Sequence, residues 1–359
     1  MARRIYLRPT AFVDGAQGDA GQALALAGGL TWFSALELIS VTDGKRTQTF
    51  VPVARLDELL PTLGVEQSAR ARALLVRLTA SRAPIKLGAH AISFDRPQVM
   101  GIVNVTPDSF SDGGTAGDPA ARARTMLQAG AAVIDVGGES TRPGAKPVAE
   151  ADEIARVRPV IETLAAEGAG VSIDSRKAAV MEAALAAGAG IVNDVSALTW
   201  DERALGLVAA RGCPVVLMHH QGSPETMQQD PHYDDVLLDV YDWLEDRIEA
   251  AVRAGIDRTN ILVDPGIGFG KTLRHNLAIL NGLALFHGLG CPIVLGASRK
   301  RLIGALFNDA PVEQRLGGSI AVALLGAAQG VQLLRVHDVF ETVQALRVWQ
   351  GLRDAALTP

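Results

Sequence analysis

From about Gln98 onward the chain alternates short apolar runs with amphipathic stretches of helical length, and this alternation restricts the fold more than any other feature. The runs are VMGIVNV (99–105), AAVIDV (131–136), VSID (171–174), GIVNDV (190–195), PVVLMH (214–219), NILVDP (260–265), PIVLGA (292–297) and VQLLRV (331–336). Their interiors are apolar on both alternating faces, as in strands buried on both sides. The intervening segments predict helices over 150–167, 176–188, 201–211, 234–254, 272–287, 312–328 and 338–352, with a short one near 299–307. Asp118 followed by Pro119 reads as an N-cap and first helical residue. Eight βα units in roughly 250 residues are what a closed (β/α)8 TIM barrel requires. A doubly wound open sheet is the rival that alternation alone leaves standing.

The first 84 residues behave differently and predict a small N-terminal α/β accessory module. RIYLRP and FVPVARL read as short strands, and 23–39 and 67–78 read as helices. IKLGAHAISF (85–94) reads as a hairpin about Gly88, so the barrel domain is placed at 85–359. Tyr6, Phe12, Trp32 and Phe33 give the module something to bury, and it carries neither a catalytic cluster nor a basic tract.

Bulk properties narrow the partners. With 48% apolar residues, 20% charged residues and a net charge of -5, the chain is globular and a poor match for nucleic acid. A local phosphate site remains open. The uncharged stretch 22–36 resembles a signal segment, but Asp14 and Asp19 precede it and Glu37 ends it; a cytoplasmic protein without a membrane span is expected. Cys213 and Cys291, each before a Pro and an apolar run, read as buried small hydrophobes rather than a disulfide pair.

The chemistry sits at strand ends. Asn104, Asp135, Asp174, Asn193, Asp264, Arg335 and His337 fall at or just after the last residues of the apolar runs. Each alone would be an ordinary cap or turn residue, but in a barrel all would converge on the rim that holds active sites. The loops 104–114 (NVTPDSFSDGG) and 137–144 (GGESTRPG) add hydroxyls, glycines and Arg142, while Arg299 and Lys300 add cations. A flat hydrogen-bonding ring carrying phosphates would use both sets. Asp174, Asn193 and Asp264 suit ring N–H and amino groups, with Asp135 counted among the substrate contacts, and the cations suit the oxyanions.

Two apparent motifs fail. GIGFGKT (266–272) looks like a nucleotide P-loop, but Pro265 occupies the position of its first glycine. His219 and His220 look like a metal handle, yet neighbours on a strand face opposite ways, and no zinc-ligand spacing accompanies them.

With these residues in place, the chain resembles dihydropteroate synthases. The matching segments are MGIVNVTPDSFSDGG (100–114), IDVGGESTRPGA (134–145), SIDSRK (172–177), IVNDVSA (191–197), LMHHQGSPETMQ (217–228), VDPGIGFGK (263–271), GASRKRLIG (296–304) and LLRVHDV (333–339). The resemblance implies condensation of 6-hydroxymethyl-7,8-dihydropterin diphosphate with p-aminobenzoate, using Mg2+ and releasing pyrophosphate, in a homodimer. It implies that Asp174, Asn193, Asp264 and Lys300 hold the pterin, and that Asn104 meets Mg2+ and diphosphate. Thr141, Arg142, Arg335 and His337 would contact diphosphate or the closed loop. Phe110 and Asp112 would belong to a first loop over the reacting centre, with Asp112 near a cationic pterin in a largely dissociative route. Phe269, with Thr141, Arg142, Pro143 and Lys300, would surround p-aminobenzoate. Arg301 departs from the pattern, since some members place a Ser there. A corrinoid-dependent methyltransferase domain would share the pterin-reading acids but has no need of the GGESTRPG and RVHDV sets. A noncatalytic pterin-binding protein would bind without turnover.

Overall fold

The computed structural model describes residues 4–15, 21–88, 90–105, 118–140, 147–222, 227 and 229–357. At the N-terminus, β1 (Arg4–Val13), β2 (Leu24–Ala25), β3 (Trp32–Thr42) and β4 (Lys45–Pro52) form one antiparallel sheet. β3 lies inside it, paired with β1 from Arg4↔Val41 to Val13↔Trp32 and with β4 from Ala35↔Pro52 to Thr42↔Lys45. Asp43 and Gly44, at φ 49° and 73°, make the two-residue turn that suits the twist of paired strands.

The helix expected over 23–39 is therefore two strands. Gly28 turns the chain at φ 67°, and Trp32, Phe33, Ile39, Val41 and Thr42 favour an extended backbone. Ladder bonds on both sides of β3 then outweigh the helical pattern. Of FVPVARL only Phe50–Pro52 is strand; Val53–Arg55 is a 3-10 turn running into α1 (Leu56–Leu59). α2 (Val65–Thr79) lies where a helix was expected.

A hairpin of β5 (Ile85–Leu87) and β6 (His90–Ile92) follows. Its Ile85, Leu87 and Ile92, with Phe94, form one buried cluster with Val133, Ile191, Val216, Leu262, Val294 and Leu333. Those partners lie at the beginnings of the barrel strands, so the hairpin plugs the N-terminal mouth and the opposite end carries the chemistry.

The barrel strands are β7 (Gln98–Asn104), β8 (Val133–Gly137), β9 (Val171–Asp174), β10 (Ile191–Asp194), β11 (Val215–Met218), β12 (Ile261–Asp264), β13 (Val294–Leu295) and β14 (Leu333–Val336). Each pairs in parallel with its sequence neighbour, and β14 returns to β7 at Leu334↔Val99. β12 joins β13 through the parallel bridge Val263↔Ile293 and the 2.9 Å bond from Val263 N to Pro292 O. The ring is closed, and the open-sheet alternative is excluded.

Around it run α3 (Pro119–Gln128), α4 (Glu150–Ala166), α5 (Ala178–Ala186), α6 (Glu202–Arg211), α7 (Val236–Arg253), α8 (Leu273–Asn281), α9 (Arg301–Leu306), α10 (Leu316–Ala328) and α11 (Val339–Leu357). The Asp118 carboxylate caps α3 at Ala120 N, as its sequence implied. α8 stops at Gly282 and gives way to a 3-10 segment, Leu283–Leu289, so the expected 272–287 helix is divided. Likewise α10 starts at Leu316, after a 3-10 turn at Val312–Gln314.

The N-terminal sheet packs against α7 and the Leu283–Leu289 segment. Tyr6 meets Tyr241 edge-on at 5.5 Å, and its hydroxyl donates to Asp242 at 2.8 Å. Glu245, also on α7, receives Arg4, Arg70 and Arg77. No helix among the described residues is long and apolar enough to cross a membrane.

Candidate active site

The strand-end polar residues meet at the C-terminal mouth. Asn193 Nδ2 donates to Asp135 Oδ2 at 2.9 Å, and Arg335 Nε donates to the same oxygen at 2.6 Å. Arg335 Nη2 donates to Asp174 Oδ2, also at 2.6 Å. Asp264, which ends β12, accepts Gly266 N on Oδ1 at 2.7 Å. Its Oδ2 lies 3.4 Å from where a Cβ on Gly296 would stand, and Arg335 Cδ lies 3.8 Å from the same point. Gly137 does similar work across the mouth: a Cβ there would sit 3.5 Å from Asp174 Oδ2 and 3.7 Å from Asn104 Oδ1. Small residues thus leave space among the acids.

Lys300 Nζ donates to Ile267 O and lies 4.1 Å from the centre of the Phe269 ring. His337 places its backbone N 3.2 Å and its Nδ1 3.1 Å from Ser298 Oγ. The site residues Asp135, Asp174, Asn193, Asp264, Phe269, Lys300, Arg335, His337 and Asn104 are thus all at this mouth. Phe110, Asp112, Thr141, Arg142 and Pro143 lie outside the described residues.

Burial sets the electrostatics. It pushes the Asp174 carboxyl up to about 7, with the Arg335 guanidinium opposing and Asp135 reinforcing the rise. Burial also raises Asp264, against the nearby Lys300 ammonium, and lowers Lys300 to about 7, against Asp264. Arg335 is held above the ordinary arginine range: burial opposes its charge, but Asp135 and Asp174 outweigh it. The Oδ1 atoms of Asp135 and Asp174 are buried and accept from no donor among the described residues. Such atoms are costly unless a ligand or water supplies donors. A planar heterocycle with ring N–H and amino groups fits them.

Several polar partnerships escaped sequence reading. Arg299, expected as a rim cation, is engaged by Asp338 through Nε at 2.9 Å and through Nη2, so it braces the start of α11 instead. Buried Lys177 donates to Glu139, to Glu153 Oε2 at 2.6 Å and to Val148 O at 2.6 Å. Lys271, the false P-loop lysine, is buried against His219 and loop carbonyls. The sequence shows only a lysine closing a glycine-rich turn, GIGFGK, with no sign that it points inward. Among the described residues no group of three or more His, Cys, Asp or Glu is placed to hold a metal ion.

A profile of the family described as "Pterin binding enzyme" matches residues 100–337. The dihydropteroate synthase of Escherichia coli (strain K12) is 48% identical over 277 residues, covering 76% of this chain and 98% of that protein. The structure of Xanthomonas albilineans dihydropteroate synthase with 4-aminobenzoic acid superposes with a TM-score of 0.71 at 48% identity, over 76% of this chain and 99% of that one. The same enzyme in complex with 7,8-dihydropteroate gives a TM-score of 0.69 at 46% identity, over 76% and 99%. With the closed barrel and the strand-end acids already in place, these matches establish that the chain belongs to the dihydropteroate synthase family of pterin binding enzymes.

Proposed function

We propose that this chain condenses 6-hydroxymethyl-7,8-dihydropterin diphosphate with p-aminobenzoate, giving 7,8-dihydropteroate and pyrophosphate. The observation that carries the reading is the buried group Asp135, Asn193, Asp174 and Asp264, charge-compensated by Arg335 and Lys300, with two carboxylate oxygens awaiting donors. Those oxygens would accept pterin N–H groups and fix the ring in one orientation.

The arylamine is a weak, mostly neutral nucleophile, so the harder event is cleavage of the C–O bond to diphosphate. Asp174 and Asp264 favour positive charge spreading through the pterin as that bond breaks. Arg335, already bound to two pterin-reading acids, also stands at the end of β14 next to His337, where cationic donors would meet the departing diphosphate. Phe269 and Lys300 would flank the aromatic amine. Phe110, Asp112, Thr141, Arg142 and Pro143 belong to the same proposal through their motif positions, as loop residues that exclude water from the reacting carbon.

Mg2+, when bound with the diphosphate, supplies charge neutralisation to the leaving group. Asn104 would hold it. A single neutral amide oxygen beside the space kept by Gly137 suits an ion that otherwise keeps waters and substrate phosphate oxygens. Incubation of the purified chain with both substrates and Mg2+ should release pyrophosphate only when p-aminobenzoate is present. Release at the same rate without the amine would reduce the chain to a diphosphatase, and pterin binding without release would make it a noncatalytic binder.

Residues 1–84 are proposed as an accessory module and 85–359 as the catalytic barrel, in a cytoplasmic protein. A second copy is the proposed partner of the face formed by α8, α10 and α11. Leu273, Leu277, Leu316, Leu325 and Phe340 are exposed there, and α10 touches both other helices. The N-terminal sheet covers α7, leaving this neighbouring apolar face open for a copy of the chain.

A further inference from the structure

The loop 265–271 joins β12 to α8 and carries Phe269. Its lysine does not face outward. Lys271 is 3% exposed, and its Nζ donates to Gly266 O at 2.9 Å and Phe269 O at 3.0 Å while lying 2.8 Å from His219 Nδ1. A buried lysine is tolerated only where its polar head is fully matched, and here one nitrogen ties both limbs of the loop to the end of β11.

Other polar groups of the loop are engaged too. Tyr233 Oη donates to Gly270 O at 2.7 Å, Gly268 N donates to Asn276 Oδ1 at 2.7 Å, and Ile267 O accepts Lys300 Nζ. Gly266, at φ 69°, presses so closely on the chain that a Cβ there would stand 1.8 Å from His219 O. His219 in turn has little freedom: it is 4% exposed and meets the Trp243 ring edge-on at 4.9 Å. A continuous path therefore runs from Trp243 through His219 and Lys271 to the Phe269 backbone, whose ring lies under Lys300.

We propose that Lys271 and His219 are a positioning pair that holds Phe269 against Lys300 and thereby sets the affinity for p-aminobenzoate. This rests on the assignment of that amine as second substrate. Asp264 is held differently. Its backbone pairs with Met218 in the β-ladder and its carbonyl accepts His219 N at 2.9 Å, contacts that need neither side chain of the pair, while its carboxylate accepts Gly266 N from the loop. Loosening the pair therefore displaces Phe269 more than the pterin acid, whose backbone remains in the ladder.

The test compares His219→Leu, which removes the ring nitrogen, with His219→Gln, which keeps a polar atom of similar reach, and with Lys271→Met. Two quantities are read in full-length protein: affinity for a diphosphate-free dihydropterin, and KM for p-aminobenzoate in pyrophosphate release. Losing one buried hydrogen bond should raise that KM about tenfold in His219→Leu, leave pterin affinity within about twofold, and be largely rescued in His219→Gln. Lys271→Met should add nothing to KM in a Phe269→Ala background, because the pair acts through that ring. Should Lys271→Met fail to fold, the two His219 variants still decide the matter. Equal shifts in both quantities, no shift in either, or full additivity with Phe269→Ala would overturn the pair. A wild-type protein that released no pyrophosphate would instead overturn the assigned reaction.

Discussion

Asp174 ends β9 with one carboxylate oxygen on Arg335 and the other buried without a donor among the described residues. Burial raises this carboxyl above the ordinary 3.8, to about 7, against the Arg335 guanidinium. The sign follows: stability from this proton is present at low pH and is lost as pH rises through about 7. Pterin N–H donors favour the ionised form, so pterin binding just below that pH should release a proton. Calorimetry in two buffers of different ionisation enthalpy should detect the release in wild type and miss it in Asp174→Asn; identical proton counts would exclude Asp174 as the source. Arg335→Ala strands two buried acids, so it should weaken diphosphate-free pterin binding as well as slow turnover, by roughly 2–5 kcal/mol in binding. A variant that slowed turnover with unchanged pterin affinity would restrict Arg335 to the leaving group. At this scale the strand-end acids were legible because so many polar residues closing successive apolar runs converge on one rim of a barrel, although each alone would be an ordinary cap or turn residue. Their partnerships were not. Nothing local in the sequence pairs Asp135 with Arg335, which lies 200 residues away, or turns the Lys271 side chain inward.

Elements show where periodicity succeeds and where it fails. The barrel strands are short, apolar and bounded by glycine or polar turns, so their pattern has one reading. Segment 23–39 has two, since its apolar residues satisfy a helical face as well as a strand buried on both sides. Its neighbours β1 and β4 decide between them, and β4 is mostly exposed and polar, leaving little hydrophobic signal. The docking of this sheet and of α2 uses Glu245, which is 12% exposed and receives Arg4 from β1 and Arg70 and Arg77 from α2. Glu245→Ala should lower stability by about 1–2 kcal/mol, between the values for exposed and buried ion pairs, as read from denaturant midpoints. An unchanged midpoint would mean that the contacts of Arg4 and Tyr6 with Asp242 and the apolar contacts hold the sheet without Glu245. Gly266→Ala should be far more damaging to the β12–α8 loop than a surface glycine change. Its φ of 69° and the collision with His219 O leave no room for a methyl group, and near-wild-type KM for p-aminobenzoate would contradict the described loop.

Across the whole molecule, the hairpin plugs one mouth of the barrel, the N-terminal sheet clasps its side, and the charged mouth stays at the other end. Deleting 1–84 would uncover Tyr241 and Phe286, now essentially buried, so the barrel alone should unfold earlier or associate while retaining its strand-end acids. Light scattering should give a dimer mass for the full chain, and Leu325→Glu with Phe340→Glu should give a monomer; a monomeric wild type would leave the apolar face of α10 and α11 without its proposed partner. The central claim concerns the buried acids as readers of the pterin ring. Its most direct measurement is the affinity of diphosphate-free 6-hydroxymethyl-dihydropterin for folded Asp264→Ala and Asn193→Ala proteins. Each should bind more weakly by roughly 2–5 kcal/mol, the cost of removing one partner from a buried hydrogen-bonded set, whereas wild-type affinity in both would contradict the assignment of this mouth as the pterin site.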